Sequence, residues 1–347
     1  MTGALQTAEP LRIAFLGSDA IALPLLESLT ADPAAPGRVV GVFTQPDRPA
    51  GRGQRAEPGA IKAWAIGRGL PVWQPERFDD AAREALAALR PDVALVMAYG
   101  HLLRDDVIAT PRLGTLNVHT SILPRYRGAS PIQTAIAAGE TETGVTLMRI
   151  VRALDAGPVA DVERVPIGPL ETAGEIEARL AAASVPLVTR GLARLRDGTL
   201  SFVAQDDSRT TYCRRLAKDD AALDFHAPAA ELAARIRGLY PWPGCAFPWG
   251  AGVIKVGLAS ALAGPWAAAP GTIVAAGEAG VDVATGDGGL RLLRLQRAGG
   301  RMLPAGDFLR GSALPVGAVL ASRPMRPLLS SRPFPSRPSP PEPPARP

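Results

Sequence analysis

An amide and an imidazole stand two residues apart in one short segment, where Asn117 and His119 follow the apolar start Thr115-Leu116. If this segment is a strand, both side chains point to the same face, because side chains alternate across a strand. An amide and an imidazole on one face can polarise a carbonyl and move a proton together, as acyl transfer to an amine requires. The spacing is equally compatible with a polar strand end that makes only local hydrogen bonds.

A carboxylate joins this pair further along the chain, at Asp155 in the stretch Leu154-Asp155-Ala156-Gly157. Asp155 follows the predicted strand 144–150 by a few residues, and Asn117 and His119 close another predicted strand. In a doubly wound sheet, ligands bind outside the carboxyl ends of the strands. We therefore expect Asn117, His119 and Asp155 to converge on one crevice at that edge.

The elements that must position these groups are continuous apolar runs that alternate with amphipathic stretches. This alternation is typical of a doubly wound α/β domain, in which helices cover both faces of a mostly parallel sheet. The predicted strands are residues 11–16, 39–43, 71–73, 93–97, 115–118 and 144–150, with an extended segment at 157–165. The predicted helices are residues 21–29, 60–68, 79–89, 130–138 and 172–195, and Ser130 is the expected N-cap of the fourth. The turn Gly17-Ser18-Asp19 lacks the G-x-G-x-x-G pattern, which argues against a dinucleotide site.

Changes in composition divide the chain into four parts. Residues 1–195 form the predicted α/β domain, and residues 196–211 form a polar linker. Residues 212–323 contain a short helical pattern and short strands separated by glycine turns, which favours a small OB-like β-barrel. Residues 324–347 are dominated by proline, arginine and serine, and we expect them to be disordered because they cannot bury a core.

The overall composition is that of an ordinary globular protein, with 47% hydrophobic and 20% charged residues. There is no apolar stretch long enough for a membrane span and no signal-peptide pattern at the N-terminus. The two cysteines, Cys213 and Cys245, have no metal-ligand spacing to a histidine. We therefore expect a reduced, cytoplasmic monomer without a metal or membrane contact. The net charge of +5 is a weak indication of an anionic partner.

The residues around Asn117 and Asp155 resemble the signature of the folate-dependent formyltransferases. The resemblance is carried by Asn117-Val118-His119 with Ser121-Ile122-Leu123-Pro124 and Arg127-Gly128, and by Gly144-Val145-Thr146 with Leu154-Asp155-Ala156-Gly157. Further stretches are similar to the members that act on methionyl-tRNA: residues 45–53 (QPDRPAGRG), 127–133 (RGASPIQ), 236–243 (IRGLYPWP) and 284–288 (ATGDG). The resemblance runs over residues 11–320, and the tail has no counterpart in the family pattern.

The resemblance implies a Rossmann-like formyltransferase domain that moves a formyl group from 10-formyltetrahydrofolate to the α-amine of initiator methionyl-tRNA. It also implies that the Asn117 amide and a protonated His119 bind the developing oxyanion, while Asp155 orients or charges the imidazole. The implied folate-binding residues are Met97, Tyr99, Gly100, Ser121, Ile122, Leu123 and Pro124. The implied tRNA-binding residues are Arg48, Arg52 and Arg55 of the basic loop 46–60, with Arg52 at the key position, and Arg214, Arg215, Lys218 and Lys255.

Two other functions remain compatible with the same signature. The first is formyl transfer to glycinamide ribonucleotide or to an amino-sugar nucleotide, which needs no basic loop of this kind. The second is an RNA-binding protein with an inactive site, which the intact set of Asn117, His119 and Asp155 argues against. His101 and His226 are expected to be packed or surface histidines, and the identity of the general base stays open.

Overall fold

The computed structural model describes residues 9–50 and 55–334. In the N-terminal part the strands are β1 (Leu11–Leu16), β2 (Gly37–Phe43), β3 (Pro49–Ala50), β4 (Arg55–Ala56), β5 (Val72–Trp73), β6 (Val93–Val96), β7 (Thr115–His119), β8 (Arg127–Gly128), β9 (Glu142–Arg149) and β10 (Val159–Pro166). The helices are α1 (Leu23–Ala31), α2 (Ala60–Ile66), α3 (Asp80–Ala88), α4 (Asp105–Ile108), α5 (Pro131–Ala137) and α6 (Ala173–Arg196). A 3₁₀ helix, Ala20–Ala22, precedes α1.

A seven-stranded sheet with the order β10-β9-β7-β6-β1-β2-β5 organises this part of the chain. The neighbours of β1 on both sides, β2 and β6, run parallel to it, and the order reverses there. Alternate residues of β1 serve two different cores: Ile13 and Phe15 pack on one face, and Ala14 and Leu16 on the other. The predicted doubly wound fold is thus confirmed, since a sheet covered on both faces needs apolar residues throughout its central strand.

The predicted direction of one strand was wrong. We expected β9 to present its carboxyl end at the ligand-binding edge, but β9 runs antiparallel to β7, and Leu116 pairs with Arg149. The strand β10 then pairs antiparallel with β9. A continuous apolar run identifies a buried strand but carries no information on its direction, which the connections decide.

The C-terminal part is built from an antiparallel sheet and a helix. Its elements are β11 (Tyr212–Cys213), α7 (Ala229–Gly238), β12 (Ala246–Trp249), β13 (Gly252–Leu262), β14 (Ile273–Gly277), β15 (Gly280–Ala284), β16 (Gly289–Arg297), β17 (Leu303–Pro304), α8 (Ala305–Leu309) and β18 (Leu329–Ser330), with 3₁₀ helices at Asp207–Arg209 and Lys218–Ala221. The large sheet has the order β12-β13-β16-β15-β14, and β17 pairs with β16. Leu232 and Ile236 of α7 join this sheet in one hydrophobic core.

A second, three-stranded sheet joins the two parts of the chain, in the order β18-β11-β8. Cys213 of β11 pairs with Gly128 of the N-terminal domain on one side and with Leu329 on the other. The helices α5 and α7 also contact each other closely, because Gly238 has no side chain to separate it from the backbone of Gln133 and Ala137. Ser130 lies at the start of α5 as predicted, but its hydroxyl accepts from the Leu216 amide instead of capping the helix.

The expected disorder of residues 324–347 was wrong for the first part of that segment. Leu328 is only 6% exposed and packs in the C-terminal core, and Leu329 forms part of β18. Residues 335–347 lie outside the described part of the chain. None of the helices within residues 9–50 and 55–334 has the length and hydropathy that a bilayer span requires.

Candidate active site

The strand β7 places Asn117 and His119 on one face of the sheet. Its apolar residues Leu116 and Val118 are buried in the core on the opposite face. Both polar side chains therefore face a single cavity of about 850 Å³, which they line together with Asp155. The predicted convergence of these three groups in one crevice is confirmed.

The imidazole of His119 is fixed by a backbone oxygen. Its Nε2 lies 2.9 Å from the carbonyl oxygen of Tyr126, and the residue is buried. A carbonyl oxygen can only accept, so Nε2 must carry the hydrogen of this bond. The other nitrogen, Nδ1, lies 3.7 Å from Oδ2 of Asp155 and is left for a substrate.

Asp155 reaches this imidazole by a loop rather than by its place at a strand end. Because β9 is antiparallel, its carboxyl end lies level with the start of β7, where the Ile150 amide donates to the Thr115 carbonyl. The chain then returns toward His119, and Asp155 takes a left-handed backbone conformation with φ of 48°. Such a conformation is unusual for a residue other than glycine and requires the surroundings to hold it.

A glutamine from the linker holds this loop. The Gln205 side-chain amide donates to the carbonyl oxygens of Asp155 and Gly157, at 2.7 and 2.8 Å. Gln205 is held in turn by the buried Arg127, whose guanidinium donates to Oε1 of Gln205 at 2.7 and 3.1 Å and to Asp207. The linker prediction missed this role because a lone glutamine in a polar segment gives no periodic signal.

The strand β8 holds the carboxylate of Asp155 itself. The Gly128 amide donates to Oδ2 of Asp155 at 2.8 Å. Gly128 has φ of 120°, and a Cβ atom at this position would lie 2.1 Å from the carbonyl oxygen of Cys213 in β11. Only glycine fits both the backbone angle and this close approach.

Of the predicted folate-binding residues, one group lines the cavity and the other does not. Met97, Tyr99 and Gly100, which follow β6, are part of the cavity wall. Ser121, Ile122, Leu123 and Pro124 are not among the lining residues, and their role in folate binding stays a prediction. Instead, the Thr146 hydroxyl donates to the carbonyl oxygen of Ser121 and accepts from the Leu123 amide, which holds the turn behind the cavity.

Two aromatic side chains of the cavity wall have polar atoms without partners. The Tyr99 hydroxyl and the Nε2 of His101 are buried and make no hydrogen bond within the described residues. The two rings lie 4.9 Å apart. Burial, with a smaller contribution from the charge of Arg48, lowers the pKa of His101, which favours the neutral form of this imidazole in the cavity wall.

Carboxylates occupy another part of the cavity. Asp19 follows β1, and Glu177 lies on α6; both line the same space as Asn117. Burial and the negative charge of Asp19 together raise the pKa of Glu177. Ser18, beside Asp19, accepts from the Gln45 amide, so the turn after β1 is tied to the start of the basic loop.

Both domains match the formyl transferase family: the profile of its catalytic domain matches residues 11–191, and that of its C-terminal domain matches residues 215–313. The methionyl-tRNA formyltransferase of Halorhodospira halophila is 43% identical over 306 residues, which cover 88% of this chain and 98% of that protein. The methionyl-tRNA formyltransferase of Pseudomonas syringae pv. syringae is 44% identical over 315 residues, which cover 90% of this chain and 99% of that protein. The chain belongs to the methionyl-tRNA formyltransferase family.

A solved structure supports the fold of this family member. The N-formyltransferase from Helicobacter canadensis, in complex with folinic acid and dTDP-3-aminofucose, superposes with a TM-score of 0.62 at 18% identity. The match covers 81% of this chain and 97% of that one. At this identity the likeness concerns the fold alone.

The cations predicted to bind tRNA differ in their availability in this family member. Arg48, Arg215, Lys218 and Lys255 are exposed, and Arg215 also lines the cavity. Arg214 is less available, because its guanidinium is bound to the buried Asp220 and donates to the Pro327 carbonyl. Its assignment to tRNA stays a prediction. Arg52 and the side chain of Arg55 lie outside the described residues.

The remaining predicted groups have structural surroundings. His226 is exposed and pairs with Asp224 at 2.9 Å, as expected for a surface histidine. Cys213 and Cys245 are both buried, and burial raises the pKa of each thiol to about 12. Within residues 9–50 and 55–334, no cluster of three or more histidine, cysteine, aspartate or glutamate side chains is arranged to hold a metal ion.

Proposed function

We infer that this chain transfers a formyl group from 10-formyltetrahydrofolate to the α-amine of methionyl initiator tRNA, which yields N-formylmethionyl-tRNA for translation initiation. The observation that carries this inference is the meeting of Asn117, His119 and Asp155 in one cavity. The relatives named methionyl-tRNA formyltransferase match the chain across both domains. The sugar N-formyltransferase also covers 81% of this chain, but at 18% identity, against 43% and 44% for the methionyl-tRNA formyltransferases.

The reaction needs a donor for a developing oxyanion. When the amine attacks the formyl carbon, its carbonyl oxygen gains negative charge in a tetrahedral intermediate. We assign the Asn117 amide to this oxygen, because β7 fixes the side chain on the cavity face. Collapse of the intermediate breaks the bond between the formyl carbon and N10 of the folate. The proton that the amine loses ends on N10, so the step needs no further reactant.

The surroundings of His119 favour Nδ1 as the atom that moves this proton. Nε2 is committed to the Tyr126 carbonyl, which leaves the Nδ1 lone pair facing the cavity and Asp155. Nδ1 can accept a proton from the amine and then donate a hydrogen bond as part of an imidazolium. The Asp155 carboxylate, 3.7 Å away, stabilises that positive charge.

The cavity has the size and lining that a formyl folate requires. A volume of about 850 Å³ lies within the usual range for small-molecule sites. We propose that the segment after β6, with Met97, Tyr99 and Gly100, flanks the pteridine ring. The unpartnered Tyr99 hydroxyl and His101 Nε2 lie in the same wall and are candidate partners for its polar ring atoms.

The exposed cations supply an electrostatic path for the tRNA. The charge of Arg48 contributes to the lowered pKa of His101 in the cavity wall, and Arg215 lines the cavity itself. Positive charge therefore lies beside the proposed catalytic residues. We propose that Arg48, Arg52 and Arg55 hold the acceptor end, and that Arg215, Lys218 and Lys255 bind the tRNA backbone. We further propose that the protein acts as a monomer in the cytoplasm, where charged tRNA is found.

The deciding assay is transfer of labelled formyl from 10-formyltetrahydrofolate to methionyl-tRNA. Glycinamide ribonucleotide, an amino-sugar nucleotide and free methionine serve as competing acceptors under the same conditions. We expect transfer to methionyl-tRNA at a kcat/KM at least 10³-fold above each competitor, since only the tRNA engages both domains. Preferred transfer to either nucleotide acceptor would overturn the proposal.

A further inference from the structure

The segment 324–334, here named the C-terminal strap, runs from the core of the C-terminal domain to the catalytic domain. Leu328 is buried in the C-terminal core, which Met325 also contacts. Leu329, the next residue, packs against the cluster of Tyr126, Ala135 and Cys213 beside the active site. Consecutive side chains of an extended chain point to opposite faces, so two leucines bridge two different cores.

The strap also accepts hydrogen bonds from two arginines, one of which is buried. The Nε atom of Arg214 donates to the Pro327 carbonyl at 2.9 Å, and the guanidinium of Arg235 donates to the Arg326 carbonyl at 3.3 Å. Arg235 is itself buried. A buried guanidinium that loses its acceptors destabilises the fold, so these hydrogen bonds favour the bound position of the strap.

A short chain of contacts connects the strap to the catalytic carboxylate. Leu329 pairs with Cys213 of β11, and Cys213 pairs with Gly128 of β8. The Cys213 carbonyl accepts from the Ala129 amide at 3.1 Å, which keeps β8 against β11. The Gly128 amide in turn donates to Oδ2 of Asp155 at 2.8 Å.

We propose that the C-terminal strap is a positioning element of the transferase, which holds β11 against β8 and thereby keeps the Gly128 amide on the Asp155 carboxylate. The proposal rests on the proposed function for its effect on catalysis. The matched C-terminal profile of the family ends at residue 313, before the strap begins. The strap therefore lies outside the residues that the two family profiles match.

Truncation provides the first test. Removal of residues 324–347 should lower kcat about tenfold with little change in either KM, since loss of position at a catalytic group acts mainly on the transition state. Removal of residues 335–347 alone should leave kcat unchanged. In an Asp155→Asn background the longer truncation should cause no further loss, because the group through which the strap acts is already altered.

A matched pair of variants separates positioning from general stability. Leu329→Ala removes the packing beside β8, and Leu320→Ala removes packing in the C-terminal core outside the strap, where Leu320 is buried. We expect Leu329→Ala to lower kcat several-fold, and Leu320→Ala to lower the melting temperature while kcat stays near the wild-type value. Equal kcat values for wild type and Leu329→Ala would overturn the proposal, as would an undiminished effect of truncation in the Asp155→Asn background. If the truncated chain does not fold, this pair decides alone.

Hydrogen exchange of the Gly128 amide tests the same idea without any activity measurement. Exchange should accelerate in Leu329→Ala and stay near the wild-type rate in Leu320→Ala. Unchanged hydrogen-exchange protection of the Gly128 amide in Leu329→Ala would contradict the strap proposal. If wild-type protein failed to formylate methionyl-tRNA, the proposed function would fall, and the exchange result would still decide whether the strap positions Gly128.

Discussion

The two sources of the active site differ in how they are held in place. Asn117 and His119 stand on β7, which pairs with β6 and β9 in the middle of the large sheet. Asp155 stands on a loop in a left-handed conformation and depends on the linker residue Gln205 and on the Gly128 amide. Asn117 and His119 are fixed by the backbone hydrogen bonds of their own strand, whereas the carboxylate of Asp155 is fixed by residues that are distant in sequence.

This difference divides the chemistry between a rigid part and a supported part. The oxyanion donor must be in place without reorganisation, and a central strand provides that. The carboxylate is supported instead from the linker and from the sheet that joins the two domains. Changes far from the cavity should therefore act through Asp155 and leave Asn117 untouched.

The largest effect is expected at the strand-borne amide. Asn117→Ala should lower kcat by about 10²–10³ while folate binding stays mostly intact, because the bond is strongest to the developing oxyanion. Asn117→Asp keeps the size but replaces the donor by an acceptor, and it should lose a similar factor. Kinetics with varied 10-formyltetrahydrofolate measure both. A normal kcat with weakened folate binding would assign Asn117 to ground-state binding.

An intermediate effect is expected where the loop is supported. Gln205→Ala removes the donor to the Asp155 and Gly157 carbonyls, and we expect kcat to fall about tenfold through misplacement of the carboxylate. Val203→Ala is a suitable control, since this side chain in the same segment is 70% exposed. Steady-state kinetics and thermal unfolding of both variants make the comparison. Equal kcat values for the two would mean that the loop holds its shape without Gln205.

The smallest effect should come from the basic loop, which supplies attraction rather than chemistry. Arg52→Ala should raise KM for methionyl-tRNA and reduce the salt dependence of tRNA binding by about one unit of slope, with folding unchanged. Arg38, an exposed arginine on β2, provides the control. Binding titrations at several salt concentrations give the slopes. Normal binding and formylation by Arg52→Ala would contradict the assignment of this loop to tRNA.

Sequence patterns predicted the strand-borne half of this comparison well. The apolar run of β1 and the alternation in β7 follow from a single strand's own burial, so both the strands and the face of Asn117 and His119 were predictable. The same holds for α6, whose predicted range of 172–195 differs by one residue at each end from Ala173–Arg196. Local periodicity was sufficient wherever one element alone sets the geometry.

The Asp155 loop and its supports could not be predicted from local periodicity. The direction of β9, the role of Gln205 and the docking of Leu328 and Leu329 all depend on pairings between distant segments. The proline-rich composition after residue 323 correctly indicates a segment that cannot form a core by itself. Two adjacent leucines are nevertheless enough to order it, because each packs against a core that other segments have formed. The ion pair between Arg214 and Asp220 is a further example, because a positive charge in the sequence does not reveal the partner that already neutralises it.

The thiol of Cys213 can report on the opening of the three-stranded sheet between the domains. It is 3% exposed, donates to the carbonyl oxygens of Tyr126 and Arg127 at 3.5 and 3.4 Å, and has its pKa raised to about 12 by burial. An alkylating reagent can reach it only when β8, β11 and β18 separate. Cys245, buried in the C-terminal core, supplies an internal reference for unfolding of that domain. The ratio of the two labelling rates therefore measures how often the junction opens while both domains remain folded.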